Sequence, residues 1–199
     1  MINGKKRSGK NFVGNILNKY LSEQGYKVKE VSFAEALKED VAKILGITLE
    51  QLEQMKEDDV YLESDKDCNT VSTIRQILQN YGMMRREENP DIWVEKALPK
   101  IFDNDSEVII ITDFRFENEY TYLYNIYSRD IHFSPNPCKI NTIKIENCNL
   151  EDNDQHISEN DLNDFDFDMI INNDIIFDNE YKALGWFLGE FEDIKERLR

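Results

Sequence analysis

The fold of this chain is decided by residues 3–12, Asn-Gly-Lys-Lys-Arg-Ser-Gly-Lys-Asn-Phe, close to the amino terminus. Gly4, four further residues, and then Gly9 and Lys10 have the spacing of a phosphate-binding loop. Glycines let the backbone curl so that successive N–H groups point at phosphate oxygens, and the lysine reaches the same oxygens. We therefore predict that this loop binds nucleotide phosphates.

The apolar residues that follow the loop recur at helical spacing; they are Phe12, Val13, Ile16, Leu17 and Leu21. The loop is thus predicted to lie at a helix N-terminus, where unpaired N–H groups and the helix dipole favour an anion. Asn11 departs from the general pattern, in which Ser or Thr holds magnesium by a hydroxyl. The amide oxygen of Asn11 is a poorer magnesium ligand than that hydroxyl. The alternative is a basic turn before a surface helix, with no ligand.

Composition restricts the class of protein. The chain has 199 residues and a formal net charge of −16, which suits one domain with a core and a lid or insert. An acidic protein lacks the basic footprint of nucleic-acid binding, so the four basic residues of the loop predict a local anion site. No apolar run of membrane-spanning length and no signal-peptide core is present, and we expect a cytoplasmic protein. Cys68, Cys138 and Cys148 lack metal-ligand spacing, and we expect reduced thiols.

Strand and helix patterns alternate after the loop. The first helix should end near residue 25, and further helices are predicted over 34–45, from 48, over 70–81, from 92 to 101 and over 184–198. Strands are predicted at 27–33, 107–113, 142–145 and 168–174, whereas 56–69 should be a solvated connection and 120–139 irregular. This alternation indicates one doubly wound α/β domain with a parallel sheet.

The strand predicted at 107–113 carries a second group of candidate site residues. Its β-branched run is typical of a parallel strand buried on both faces, and it ends in Asp113, with Arg115 close behind. Ligands of open α/β sheets lie outside the carboxyl ends of the strands. Asp113 is therefore a candidate for holding Mg²⁺, and Arg115 for binding phosphate with its fork of donors. A structural Asp–Arg pair is the alternative.

Several segments, in order along the chain, resemble phage-type deoxynucleoside monophosphate kinases and the related animal-type phosphomevalonate kinases. They are residues 4–10, 74–79 with 81–82, 86 with 90 and 93–94, 112–119, 156–159 and 167–173. The Arg75 to Gly82 segment and the Asp-Phe-Arg-Phe-Glu-Asn-Glu segment are the most specific. The resemblance implies a P-loop NTPase fold with a three-layer, nucleoside monophosphate kinase-like sheet. It also implies an acceptor-binding helical region at about 34–101 and a small lid at about 120–139.

The resemblance implies transfer of the ATP γ-phosphoryl group to a deoxynucleoside 5′-monophosphate, with Mg²⁺ as cofactor. Lys10, Asp113 and Arg115 would be the catalytic residues, and Asp113 with Asn11 would place the metal. The residues that would bind ATP are Gly4, Lys5, Lys6, Arg7, Ser8, Gly9, Lys10, Asn11, Phe12, Asn172 and Asn173.

The acceptor side follows from the same resemblance. Arg75 and Arg115 would hold the acceptor phosphate, and Gln79 and Trp93 would face the acceptor base. Arg86 is a further substrate-binding candidate, and Arg129 is a candidate lid arginine. From the helical pattern alone, Arg75 and Gln79 share one face, and two solvent-exposed residues would give the same spacing.

Two other functions remain open at this point. One is a phosphomevalonate kinase-like activity with a small isoprenoid acceptor. The other is a non-catalytic nucleotide-binding protein, because Asn11 replaces a hydroxyl and the strand near 143–146 lacks an arginine that the family leads us to expect. The expected partners are small-molecule nucleotides, with no nucleic acid polymer and no membrane, for a monomer or homodimer. The phage-type resemblance implies a viral source, and hence the host cytoplasm.

Overall fold

The structure is a computed structural model that describes residues 1–58, 60–63, 71–103, 105–130, 138–147 and 156–173. Cys68, Cys148 and the helix predicted over 184–198 lie outside these ranges. The strands in the described part are β1 (Ile2–Gly4), β2 (Val28–Val31), β3 (Tyr61–Glu63), β4 (Val71–Thr73), β5 (Val108–Ile111), β6 (Ile143–Glu146) and β7 (Met169–Asn172). The helices there are α1 (Lys10–Glu23), α2 (Ala34–Leu45), α3 (Leu49–Glu57), α4 (Ile74–Glu88), α5 (Ile92–Ile101), α6 (Glu117–Asp130) and α7 (Ile157–Asn160).

Five of the described strands run parallel to their neighbours. β1, β6 and β7 form one sheet in the order β1-β6-β7, with Ile2 opposite Ile143 and Ile145 opposite Ile171. β2 pairs with β5, with Val31 opposite Ile111. Helices follow these strands along the chain, so the predicted α/β class with parallel strands is confirmed.

The described residues fall into two compact units. The first consists of Met1–Val31 together with the described residues from Asp103 onward, and the second is Ser32–Phe102. The core of the first unit combines residues of α1 with residues of four strands: Ile2, Val13, Ile16, Leu17, Ile110, Ile143, Ile145 and Ile171. The helical region predicted at about 34–101 lies within the second unit, whose core contains Val41, Ala42, Leu52, Ile74 and Leu78. The acceptor-binding role of that region stays a prediction.

The segment before α4 differs from the sequence prediction. Residues 71–73 form β4, which pairs antiparallel with β3, so part of the predicted connection at 56–69 is a strand and the helix begins at Ile74. Thr73 caps α4, because its hydroxyl accepts the N–H of Gln76 while the Gln76 side chain accepts the N–H of Thr73. This reciprocal cap fixes the start of the helix, which then continues to Glu88.

The prediction of irregular structure over 120–139 is wrong for its first half, because α6 extends to Asp130. Aromatic residues are weak helix formers, and tertiary packing overrides that preference here. Leu123 is buried, and the Tyr120 ring packs edge-on against Phe165 at 5.3 Å between centroids. Residues 131–137 lie outside the described residues, and the lid assignment stays a prediction.

Among the described residues, no helix combines the length and the apolar character needed to cross a membrane.

Candidate functional site

The loop predicted to bind phosphate leads directly from β1 into α1, and close contacts require glycine at two of its positions. A Cβ at Gly4, whose φ is 154°, would lie 2.5 Å from Ser8 Oγ and 2.6 Å from the carbonyl oxygen of Ile145. Gly9 has a φ of 100°, and a Cβ there would overlap the side-chain amide of Asn173. Larger residues at either position would therefore displace the loop.

Gly9 is the N-cap of α1 and has no side chain to cap the first turn of the helix. The first turn carries no acidic residue, so its N–H groups face no carboxylate of their own helix. The N–H groups of the first turn have no partners within a helix, and the dipole adds partial positive charge. Arg7 takes a left-handed φ of 66°, which bends the loop ahead of this helix end. The arrangement suits a phosphate group.

Lys10 lies within the curl of the loop. Its ammonium donates to the carbonyl oxygen of Gly4 and, at 2.7 Å, to that of Lys5. Burial and then the neighbouring Arg115 guanidinium lower the pKa of Lys10 to about 8, although the carboxylates of Glu159 and Asp113 oppose the shift. These electrostatic effects place Lys10, Arg115, Glu159 and Asp113 in one neighbourhood.

The residues that follow β5 are tied to the loop by hydrogen bonds. Asn3 in β1 donates its side-chain amide to the carbonyl oxygen of Phe114 at 2.8 Å. Glu119, which is 1% exposed, accepts the backbone N–H groups of Arg115 and Phe116 at 2.8 and 3.1 Å. The backbone at Arg115 is therefore held from two sides. Glu119 belongs to the Asp-Phe-Arg-Phe-Glu-Asn-Glu segment, but the local sequence does not predict that its carboxylate binds this backbone.

A short segment far along the chain completes this side of the site. Arg115 donates one terminal nitrogen, Nη1, to the carboxylate of Glu159 and, at 3.2 Å, to the carbonyl oxygen of Ser158. Lys5 donates to the side-chain oxygen of Asn160 at 3.4 Å. The motif at residues 156–159, which carries part of the family resemblance, is the one sequence signal for this segment, and it does not predict the contact with Arg115.

Asn172 and Asn173 lie at the end of β7. The Asn172 side chain is exposed. Asn173 donates its side-chain amide to the carbonyl oxygen of Ser8 at 2.8 Å, and its backbone N–H to Glu146 at 2.7 Å. Asn173 therefore contacts the loop itself, and its predicted role in binding ATP stays a prediction.

The remaining predicted residues belong to the second unit or to α6. Arg75 and Gln79 are half-buried in α4, and the Nε of Arg75 is buried without a hydrogen-bond partner among the described residues. Arg86 donates to the carbonyl oxygen of Pro90 at 3.1 Å. Trp93 is 2% exposed and donates its indole N–H to Gly82 at 3.3 Å, so its ring packs in the interior of this unit. Arg129 lies in α6, and its side chain is outside the described part.

The first unit thus brings together the three residues that were predicted to be catalytic, Lys10, Asp113 and Arg115. Ser8 Oγ is buried beside Gly4 and has no hydrogen-bond partner among the described residues. This orphaned hydroxyl and the glycine cradle fit a polyphosphate. The carboxylate of Asp113 and the amide oxygen of Asn11 are the ligand types that Mg²⁺ accepts, so the donor set also fits the metal.

A protein-family model described as phosphomevalonate kinase matches residues 2–129. The matched part includes the loop, Asp113 and Arg115, and it stops before the segment that contains Glu159. No curated protein matches the chain.

Proposed function

The chain belongs to the phosphomevalonate kinase family, and from this premise we propose that it transfers the ATP γ-phosphoryl group to a small acceptor of the phosphomevalonate type. Such an acceptor already carries a phosphate monoester. One of its oxygens attacks the γ-phosphorus while the bond to the β-phosphate oxygen breaks, and the products are an acceptor diphosphate and ADP.

The observation that carries the proposal is the grouping of Lys10, Arg115 and Asp113 at the end of the loop. Phosphoryl transfer needs mainly positioning and neutralisation of charge. The loop N–H groups and Lys10 bind the ATP phosphates, and Lys10 exchanges its bonds to the carbonyls of Gly4 and Lys5 for phosphate oxygens. Arg115 holds the acceptor phosphate and keeps it in line with the γ-phosphorus.

Magnesium would be held by Asp113 and Asn11. When bound, Mg²⁺ would neutralise the negative charge that develops during phosphoryl transfer. An amide oxygen at Asn11 is a weaker ligand than the hydroxyl of the general pattern, so Asp113 contributes most of the binding.

The proposal includes the sheet arrangement of nucleoside monophosphate kinases, with one doubly wound sheet in the order β2-β5-β1-β6-β7. Support comes from the core of the first unit, in which Ile110 of β5 clusters with Ile2 of β1. It also comes from Gly14 of α1, because a Cβ at this position would lie 3.9 Å from side-chain atoms of both Ile110 and Ile2.

A deoxynucleoside monophosphate is the second candidate acceptor, and one feature of α4 favours it. Arg75 and Gln79 lie one turn apart, both half-buried. A guanidinium suits a phosphate and an amide, with one acceptor and two donors, suits the edge of a base. A mevalonate phosphate offers no base edge to Gln79.

The test is ADP formation in a coupled assay with a panel of acceptors. Mevalonate 5-phosphate and the four deoxynucleoside monophosphates are compared at equal concentration, with Lys10→Ala as the inactive control. Turnover with mevalonate 5-phosphate alone would support the phosphomevalonate-type acceptor. Turnover with the nucleotides would instead support a deoxynucleoside monophosphate as the acceptor. ATP binding without acceptor-dependent ADP would leave a non-catalytic nucleotide-binding protein and would refute kinase activity.

A further inference from the structure

Glu159 lies beyond the part of the chain that the family model matches. Its side chain is 5% exposed, and one carboxylate oxygen pairs with Arg115. The other oxygen, Oε2, is buried and has no hydrogen-bond partner among the described residues. A buried carboxylate needs a partner that compensates for its lost hydration. For Glu159, the hydrogen bond from Arg115 provides this compensation.

The Arg115 guanidinium is held along one edge only. Nη1 is shared between Glu159 and the carbonyl oxygen of Ser158. In the part of the chain that the structure describes, neither Nε nor the second terminal nitrogen of Arg115 makes a hydrogen bond. The Arg115 side chain is 29% exposed, so its other edge meets solvent.

We propose that Glu159, together with the Ser158 carbonyl, is the positioning residue that anchors one edge of Arg115 so that the opposite edge faces a substrate phosphate. The inference rests on the proposed function, since it gives Arg115 a phosphate to hold. A guanidinium binds phosphate best through two parallel donors on one edge. An anchored Nη1 leaves that pair, Nε and the second terminal nitrogen, in a fixed direction.

The anchor also limits where Arg115 can move. An arginine side chain has several rotatable bonds, and ordering it costs conformational entropy on binding. Because the carboxylate and the carbonyl hold Nη1 before the substrate arrives, part of that cost is met in the folded protein. Glu119, which fixes the backbone of the same residue, acts in the same direction.

The experiment is a double-mutant cycle with Glu159→Ala, Arg115→Ala and the combined variant. If Glu159 acts through Arg115, Glu159→Ala lowers kcat/KM by roughly tenfold or more in the native background, as misplacement of a positioning group does. In the Arg115→Ala background the same change then costs less than about twofold. Equal losses in both backgrounds would overturn the proposal.

Chemical rescue separates positioning from general support of the fold. Guanidinium ion, added at millimolar concentration, should restore part of the activity of Arg115→Ala, because Glu159 and the Ser158 carbonyl still form its cradle. It should restore none in the combined variant. Equal rescue of both proteins, or rescue of neither, would contradict an anchoring role for Glu159.

Two controls keep the outcome interpretable. Asp164→Ala removes an exposed carboxylate close by in sequence, giving the same change of net charge, and should leave activity unchanged. Glu159→Gln keeps the shape and an oxygen that accepts from Nη1, so it should retain more activity than Glu159→Ala. If Glu159→Ala does not fold, the cycle is run with Glu159→Gln instead. If Glu159→Gln then lowers kcat/KM equally in the native and the Arg115→Ala backgrounds, the proposal is refuted.

Binding of inorganic tripolyphosphate, measured by calorimetry on the same variants, separates this inference from the proposed function. Wild-type protein that binds tripolyphosphate but turns over no acceptor would refute the kinase activity. The binding cycle would still test Glu159, because coupling between Glu159 and Arg115 supports the anchor and additive losses refute it.

Discussion

At the level of single residues, carbonyl groups of the loop compensate the charge of Lys10. Its ammonium is bound by two loop carbonyls, and its pKa is lowered to about 8, first by burial and then by Arg115. Lys10 is therefore already oriented within the loop. In the proposed function, ATP phosphates would replace the neutral carbonyls as partners of this cation, which would strengthen each hydrogen bond.

Lys10→Ala should reduce kcat by about 100-fold or more, because one cation that stabilises the developing charge contributes that much. The melting temperature should change little, since the loop carbonyls regain water when the side chain is removed. Steady-state kinetics and a thermal melt measure the two quantities. Lys19→Ala, an exposed change on the same helix, is the control, and near-normal turnover in Lys10→Ala would exclude the loop from catalysis.

The lowered pKa of Lys10 predicts a pH dependence. In the proposed function the ATP phosphates require charged Lys10, whose pKa is about 8, and kcat/KM reports the protonation states of the free enzyme. The value of kcat/KM for ATP should be constant below about pH 7, fall to half near pH 8 and then drop about tenfold per pH unit. Lys10→Arg, which stays charged, should lose this alkaline decline in whatever activity it retains. A wild-type profile that stays flat to about pH 9.5 would contradict the assignment.

At the scale of elements, α1 packs unusually closely on β5. A Cβ at Gly14 would lie 2.6 Å from Cγ2 of Thr112, which is itself buried. The close approach holds the first turn of α1 near the end of β5, from which Asp113 and Arg115 extend. Glycine at this position therefore allows α1 and β5 to approach closely, although glycine has a low helix propensity.

Gly14→Ala should lower the free energy of unfolding by roughly 1–3 kcal/mol through overpacking, in spite of a better helix former. Thr112→Ser removes the methyl group that clashes, so the combined variant should regain most of the loss. Denaturant unfolding of the single and combined variants measures this coupling. Asn15→Ala, at the exposed neighbouring position, is the control, and a Gly14→Ala protein as stable as wild type would refute the close contact.

Helix α4 carries two candidate acceptor residues that should act differently. Arg75→Ala should raise KM for every acceptor, because each carries a phosphate. Gln79→Ala should change the ranking among bases by about 1–3 kcal/mol if the acceptor is a nucleotide, and should have little effect on mevalonate 5-phosphate. KM values across the acceptor panel measure both. One common factor for all acceptors in both variants would rule out base recognition by Gln79.

At the scale of the whole molecule, the charge distribution is strongly uneven. The chain has a net charge of −16, whereas residues 5–10 contain four basic side chains. Self-repulsion destabilises a compact acidic protein, and a local basic site attracts polyphosphate. Salt should therefore act on stability and on binding with opposite signs.

Raising KCl from about 20 to about 150 mM shortens the Debye length from roughly 20 to 8 Å. The melting temperature of the free protein should rise as repulsion is screened, while the Kd for ATP should increase as the loop loses attraction. Thermal melts and calorimetry at the two salt concentrations measure these effects. Potassium glutamate serves as the control for a specific chloride effect. Parallel changes in stability and affinity would contradict this electrostatic description.

The local features of this protein can be predicted from its amino-acid sequence. The spacing of Gly4, Gly9 and Lys10 predicted the loop, the apolar periodicity after it predicted α1, and the β-branched run predicted β5, because each pattern depends on residues close together in the chain. The reciprocal cap at the start of α3 is local in the same sense, because Thr48 and its partner Gln51 are three residues apart. The match of residues 2–129 to the phosphomevalonate kinase family likewise comes from the sequence, and it shows that the chain belongs to a kinase family.

Contacts between residues far apart in the chain depend instead on tertiary packing. Glu159 contacts Arg115 from 44 positions away and Asn173 contacts Ser8 from 165 positions away. No periodicity or motif spacing encodes such contacts. The parallel order β1-β6-β7 brings Asn173, at the end of β7, near the loop after β1, and the Glu159 contact joins α7 to the segment after β5. Helix α6 was missed for the same reason, since its aromatic residues form a helix through packing against Phe165. Local patterns therefore gave the chemistry of the site, and long-range packing gave its geometry.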